Sequence, residues 1–202
     1  MCIRDSFHPA AVDLSPWLDQ TISCEFSIVA NSSDAEAHAL VSVPQLCGPN
    51  PTDGRQNAIV LVIDTLRADG LGCYGNERDL SPNIDGFARQ CTLYENARSS
   101  SSWTLPAHAS LFTSLFPNQH KATTHTDRLS GEVETLAEVL RERGWRTCAL
   151  SDGNFVSPTF GLDQGFDVFD PTGTGIDSMI ERASRWLDDY SGKPFLLFVQ
   201  SY

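Results

Sequence analysis

The chain has 202 residues, enough for one domain with a sizeable core, or one domain and part of another. A formal net charge of −12 with an ordinary hydrophobic share of 41% argues against nucleic-acid binding, which wants a basic face, and fits a solvated globular surface. No apolar run is long enough to span a membrane as a helix.

Residues 1–6, Met-Cys-Ile-Arg-Asp-Ser, back-translate to the end sequence of a transposon sequencing adapter and are set aside as a processing scar. The cysteines that follow show no C-x-x-C pair and no metal-type spacing. They read as scattered thiols, with a single bridge such as Cys24 to Cys47 left open, and they do not decide the compartment. Residues 7–47 read as strands. Residues 21–29 alternate apolar and polar side chains, as a half-buried antiparallel strand does, and residues 39–43 form a second. They are expected to be the C-terminal strands of a β-sandwich-like domain. Residues 48–56, rich in Pro, Gly, Asn and Asp, are the expected linker.

From residue 57 to 202 strands and helices alternate, which predicts a layered α/β domain with a largely parallel sheet. Residues 58–63 are continuously apolar, as in a strand covered on both faces. Ser81-Pro82 predicts a helix start with serine as N-cap, and Ile84, Phe87, Ala88 and Cys91 share one face. A helix is predicted over 105–116 with Phe112, Leu115 and Phe116 inward. Leu136, Val139 and Leu140 mark the next, closed by Gly144. Residues 146–150 return as a strand. Ile176, Ile180, Ala183 and Leu187 mark a further helix, and 195–199 a final strand, where the sequence stops. The expected picture is the open fragment of a longer gene.

Two places carry chemistry. Asp64 lies just beyond the carboxyl end of the first α/β strand, where such sheets place their ligands. A carboxylate there suits a divalent cation, or else it caps a turn. Thr104 precedes Leu105-Pro106 at a predicted helix start. It is either a plain N-cap or a nucleophile, since a helix N-terminus favours an anionic ester and a neighbouring metal activates a hydroxyl. His108 falls one turn later on the same side and is suited to stabilise a transferred group or a leaving oxygen. His120 and His125, in a polar loop, are weaker candidates.

These residues resemble a known family. Residues 63–75, Ile-Asp-Thr-Leu-Arg-Ala-Asp-Gly-Leu-Gly-Cys-Tyr-Gly, look like the first metal-binding motif of sulfatases, in the alkaline-phosphatase superfamily. Residues 81–85, Ser-Pro-Asn-Ile-Asp, resemble the helix start that follows it there. Thr104-Leu105-Pro106-Ala107-His108 resembles the nucleophile helix, and residues 160–167, Phe-Gly-Leu-Asp-Gln-Gly-Phe-Asp, are similar to a further family motif. The resemblance implies a three-layer α/β/α fold with a largely parallel central sheet, alkaline-phosphatase-like and incomplete. It also implies a metal held by Asp64 and Thr104, with Thr104 and His108 catalytic. Calcium is the favoured cation, with zinc or manganese as alternatives. The partner is a small-molecule or glycan anionic ester.

The departures from the family pattern are specific. Thr104 takes the place of the cysteine that sulfatases oxidise to formylglycine, and His108 that of the arginine in Cys-x-Pro-x-Arg. Thr65 takes the place of a second aspartate, and Ser151-Asp152-Gly153-Asn154 that of Gly-Lys-Trp-His. The sequence therefore predicts a metal-dependent hydrolase of sulfate esters with a threonine nucleophile. A phosphodiester or phosphonate hydrolase and a non-catalytic binding protein on the same fold stand as alternatives.

Overall fold

A computed structural model describes residues 57–173, 175–189 and 194–202; the expected scar, sandwich strands, linker and Cys24–Cys47 bridge lie outside them. Four strands form one sheet: β1 (Ala58–Ile63), β2 (Arg146–Ser151), β3 (Val168–Asp170) and β4 (Phe195–Ser201), in the order β1-β4-β2-β3. Every pairing is parallel. The connections therefore cross over, and helices α1 (Pro82–Ala88), α2 (Thr104–Thr113), α3 (Pro117–His120), α4 (Leu136–Glu142) and α5 (Ile176–Asp189) occupy them. The expected α/β architecture is present.

Alternation along the strands divides the core in two. On one face Ala149, Leu196 and Phe198 pack with Leu105, Ala109 and Phe112 of α2 and Ala137 of α4. On the other, Cys148, Leu150, Leu197 and Val199 pack with Met179, Ala183 and Trp186 of α5. β4 is covered on both sides and is buried along almost its whole length. β1 is not. Ala58, Val60 and Val62 turn toward the α2 layer, whereas Ile59 and Leu61 remain 60% and 57% exposed. The apolar run of residues 58–63 predicted cover on both faces. Within the described residues α5 packs on β2 and β4 and leaves this edge strand bare on one side.

Two helix predictions need correction. α1 begins where Ser81-Pro82 predicts, but it buries no residue among those described, and Phe87 is 72% exposed. The helix predicted over 105–116 spans Thr104–Thr113 and ends at Ser114, whose φ of 58° is left-handed. The chain then restarts as α3, so Phe112 is buried but Phe116 faces out. On α5 the buried stripe is Met179, Ala183 and Trp186, while Ile176 and Ile180 are exposed. The predicted helix is present, with Ala183 buried and Leu187 partly buried beside the stripe that Met179 and Trp186 complete. α4 is as predicted, with a capping box between Thr135 and Glu138 and Gly144 at φ 82° after its end.

The 160–167 motif is a structural clip. Gly165 carries φ 84°, and a side chain there would strike the Glu138 backbone nitrogen at 2.2 Å, so only glycine fits. Its carbonyl accepts from Thr147 Oγ1 at 2.7 Å, and the Gln164 carbonyl accepts from Thr135 Oγ1 at 3.0 Å. The Asp167 carboxylate pairs with Arg146 at 3.2 Å inside the protein. These contacts join α4, β2 and the approach to β3. β3 itself went unpredicted, since three residues, Val-Phe-Asp, carry no period.

Candidate active site

The carboxyl ends of β1, β4 and β2 meet along one edge. Asp64 follows β1 and is tied to β4 by its backbone nitrogen, which donates to the Ser201 carbonyl at 2.8 Å. The next residue, Thr65, holds φ 61°. A β-branched residue in the left-handed region is strained by about 1–3 kcal/mol. The turn it makes lets the Thr65 N–H donate to Asp64 Oδ1 at 2.9 Å. Asp64 Oδ2 accepts from Gln200 Nε2 on β4 at 3.2 Å. On the far side of β4, Asp152 accepts from Ser201 Oγ at 2.8 Å and from the Tyr202 N–H at 3.1 Å.

α2 supplies Thr104 and His108. Trp103, not Thr104, is the N-cap, and no side chain caps this helix start. Thr104 is the first helical residue, so the plain-cap reading of its hydroxyl does not hold. His108 is only 5% exposed and packs edge-on against Phe198 of β4, with ring centroids 6.1 Å apart. Its Nδ1 lies 2.8 Å from the Thr104 carbonyl, which can only accept, so Nδ1 carries the hydrogen. Nε2 is buried and has no hydrogen-bond partner among the described residues. Burial pushes the ring's pKa down, while the Thr104 carbonyl and the Asp64 carboxylate pull it up. The neutral ring therefore presents a lone pair, not a proton, at Nε2. The fold thus brings Asp64 and His108 into one electrostatic neighbourhood, with Thr104 one helical turn from His108.

The weaker histidine candidates have other work. His120 is buried and held at both ring nitrogens, by Ser110 Oγ at 3.0 Å and the Ala122 N–H at 3.1 Å. His125 packs among Trp103 and Phe155, at ring-centroid distances of 4.7 and 5.2 Å. Beside His108 opens a cleft of about 370 Å³ whose lining includes Val62, Arg98, Ser99 and Ser100. Sequence reading missed Gln200, Ser201 and Arg98. The signal available for the first two was their position at the end of an apolar strand; Arg98 had none beyond charge.

Among the described residues no three His, Cys, Asp or Glu side chains gather as a metal cluster. Asp64 nonetheless fits as one wall of a cation site. Each of its oxygens accepts one hydrogen bond and keeps capacity for another contact. A carboxylate is a hard oxygen donor of the kind that divalent cations take.

Residues 56–202 match the family described as Sulfatase. The chain belongs to the sulfatase family. Among curated relatives it is 22% identical over 165 residues to an N-acetylglucosamine-6-O-sulfatase of Bacteroides thetaiotaomicron, covering 71% of this chain and 29% of that one. The chain thus spans less than a third of that sulfatase's length. A solved complex with D-glucosamine-2-N,6-O-disulfate, described as that protein's substrate, matches with a TM-score of 0.63 at 20% identity, covering 72% of this chain and 34% of that one. A phosphonate monoester hydrolase of Agrobacterium radiobacter matches at 0.60 and 18%, covering 72% and 40%. At such identities the structural matches carry the fold alone, and that fold is the sulfatase one of the alkaline-phosphatase superfamily. Among the described residues no helix is long and apolar enough to cross a membrane.

Proposed function

We propose that the full-length protein is a metal-dependent hydrolase of sulfate esters, on small molecules or glycans, with Thr104 as nucleophile. The observation that carries this reading is the buried Nε2 of His108, unpartnered among the described residues, in the field of Asp64 and one turn from a threonine hydroxyl released from capping. Sulfatase family membership supports the reaction class. Asp64 and Thr104 would hold a divalent cation, calcium by donor chemistry, with further ligands from outside the residues present. When bound, it would lower the pKa of the hydroxyl and offset charge on the transferred group.

The Thr104 oxygen attacks the ester sulfur, the bond from sulfur to the leaving alkoxide breaks, and a threonyl sulfate forms. His108 accepts the hydroxyl proton at Nε2, the position its tautomer leaves open, and returns it to the leaving oxygen. Water then attacks the same sulfur, releasing sulfate and restoring the threonine. The N-terminus of α2 favours the anionic group, and Arg98 in the adjoining cleft suits an anionic substrate. Phosphonate hydrolysis, the activity of one structural neighbour, would use the same residues on phosphorus and has no stronger support.

Two measurements test the reading. The full-length protein should hydrolyse aryl or glucosamine sulfates, lose that activity to a chelator and regain it with calcium. Turnover of a phosphonate monoester but of no sulfate ester would replace the substrate, and no turnover of either would favour a binding role. The 202-residue polypeptide alone should show no metal-dependent turnover, because among the described residues it carries one wall of the site. Hydrolysis by the purified polypeptide would overturn that expectation.

A further inference from the structure

We propose that Gln200 is a positioning residue that fixes the Asp64 carboxylate for cation binding. This rests on the reading of Asp64 as a metal ligand and adds the element that orients it. Gln200 is fully buried on β4, the strand between β1 and β2, and its backbone is in register with Val62 on one side and Ser151 on the other. A buried primary amide must find partners for both ends. Here Oε1 accepts from the Asp152 N–H at 3.3 Å and Nε2 donates to Asp64 Oδ2 at 3.2 Å.

The two bonds are not interchangeable. A backbone N–H only donates, so it holds Oε1 toward Asp152 and leaves the NH₂ end aimed at the carboxylate. A flipped amide would set N–H against N–H at one end and oxygen against oxygen at the other. Among the described residues Gln200 is the only side chain that hydrogen-bonds to Asp64, and the strained Thr65 turn holds the second oxygen through the backbone. Both contacts leave the carboxylate its full charge. A lysine or arginine in place of Gln200 would neutralise it and compete with a cation; a neutral amide orients without competing. Partners of this kind, one bond removed from the metal, typically contribute 10–100-fold to affinity when removed.

Gln200→Met keeps the volume and loses both side-chain bonds. The fold should tolerate it, because the Asp152 N–H also donates to the Gln200 backbone carbonyl at 3.1 Å, a bond the substitution keeps. Gln200→Leu serves as a second variant of different shape, and melting in chelator identifies which variants are folded. Calcium, manganese and zinc are titrated in turn into the full-length protein by calorimetry, and the tightest is used for Asp64→Asn, Gln200→Met and Gln200→Leu. The expected result is no binding at this site in Asp64→Asn and a Kd raised roughly 10–100-fold in the Gln200 variants. Loss of binding in Asp64→Asn with an unchanged Kd in a folded Gln200 variant would overturn the positioning role and leave the Asp64 reading intact. A wild-type Kd in Asp64→Asn, or no binding of any of the three cations by the wild type, would overturn the ligand reading and the positioning role with it.

Discussion

A buried histidine stands toward each end of α2, His108 one turn after its first residue and His120 on α3, bonded to Ser110 of α2, and their hydrogen bonding could hardly differ more. At the C-terminal end side chains and backbone bond one another. Thr113 Oγ1 donates to the Ala109 carbonyl at 2.7 Å, the Leu115 N–H returns to Thr113 Oγ1 at 3.2 Å, and Gln119 Oε1 caps the Phe116 N–H at 2.9 Å. His120 closes this end with both nitrogens in use. At the N-terminal end no side chain caps the helix, Thr104 caps nothing, and His108 keeps one buried nitrogen without a partner among the described residues. A satisfied end is scaffold. An end that leaves polar groups buried and uncommitted costs stability, and the fold retains that cost where chemistry uses it.

The largest expected effect lies at the open end. In the full-length enzyme Thr104→Ala should lower kcat by roughly 10⁴-fold or more, as loss of a nucleophile does. Its stability should stay within about 0.5 kcal/mol, because no cap is lost and alanine favours helix. Thr104→Ser should keep part of the rate. Steady-state kinetics corrected for folded fraction decides: an unchanged rate for the alanine variant would make this end scaffold as well. His108→Ala should come next, with a loss of about 10²–10⁴-fold in kcat. Should it instead unfold the protein at full rate per folded molecule, the contrast between the two histidines would collapse.

The sequence carried most of the fold and about half of this contrast. Strand positions were legible because β2 and β4 are buried on both faces and carry apolar runs, the short Cys-Ala-Leu in β2 and Phe-Leu-Leu-Phe-Val in β4. Asp64 was legible because a strand's carboxyl end is a fixed address in such sheets, and Thr104 and His108 because four residues make one helical turn. Partner counts were not legible. The sequence ranks His108 above His120 but does not show their bonding; only the fold shows Ser110 and Ala122 at the two nitrogens of His120 and, among the described residues, no partner for Nε2 of His108. The bare faces of β1 and α1 failed for a related reason. Apolar pattern says which side seeks cover, and the covering element is a separate fact.

At the closed end the effect should be on stability alone. His120→Ala removes two hydrogen bonds and leaves the buried Ala122 N–H unpaired. The expected cost is about 1–3 kcal/mol by denaturant titration. Turnover per folded molecule should be unchanged, and a selective loss of kcat would move His120 into the catalytic group.

The smallest effect is a pH dependence with a defined sign. The Ala122 N–H donates to Nδ1, so the ring is neutral and carries its hydrogen on Nε2, toward Ser110. Protonation at Nδ1 would break that bond and bury a charge, and burial does push the His120 pKa down, against the pull of the Pro106 carbonyl. In the unfolded chain the group titrates near about 6.5. Between that value and the lower folded one, the unfolded state binds more protons, so stability rises with pH. The contribution is fully present above about 6.5 and is lost as pH falls through the window below it. One group adds at most about 1.4 kcal/mol per pH unit to the slope. His108 is also depressed by burial and adds a slope of the same sign, so the wild type alone cannot apportion the two. His120→Asn can. It removes one titrating ring and leaves His108 in place, so stability against pH between about 7 and 5 should flatten by up to one proton's worth and not vanish. Identical slopes in wild type and variant would mean that His120 takes up its proton as readily folded as unfolded, and the closed end of α2 would not be closed.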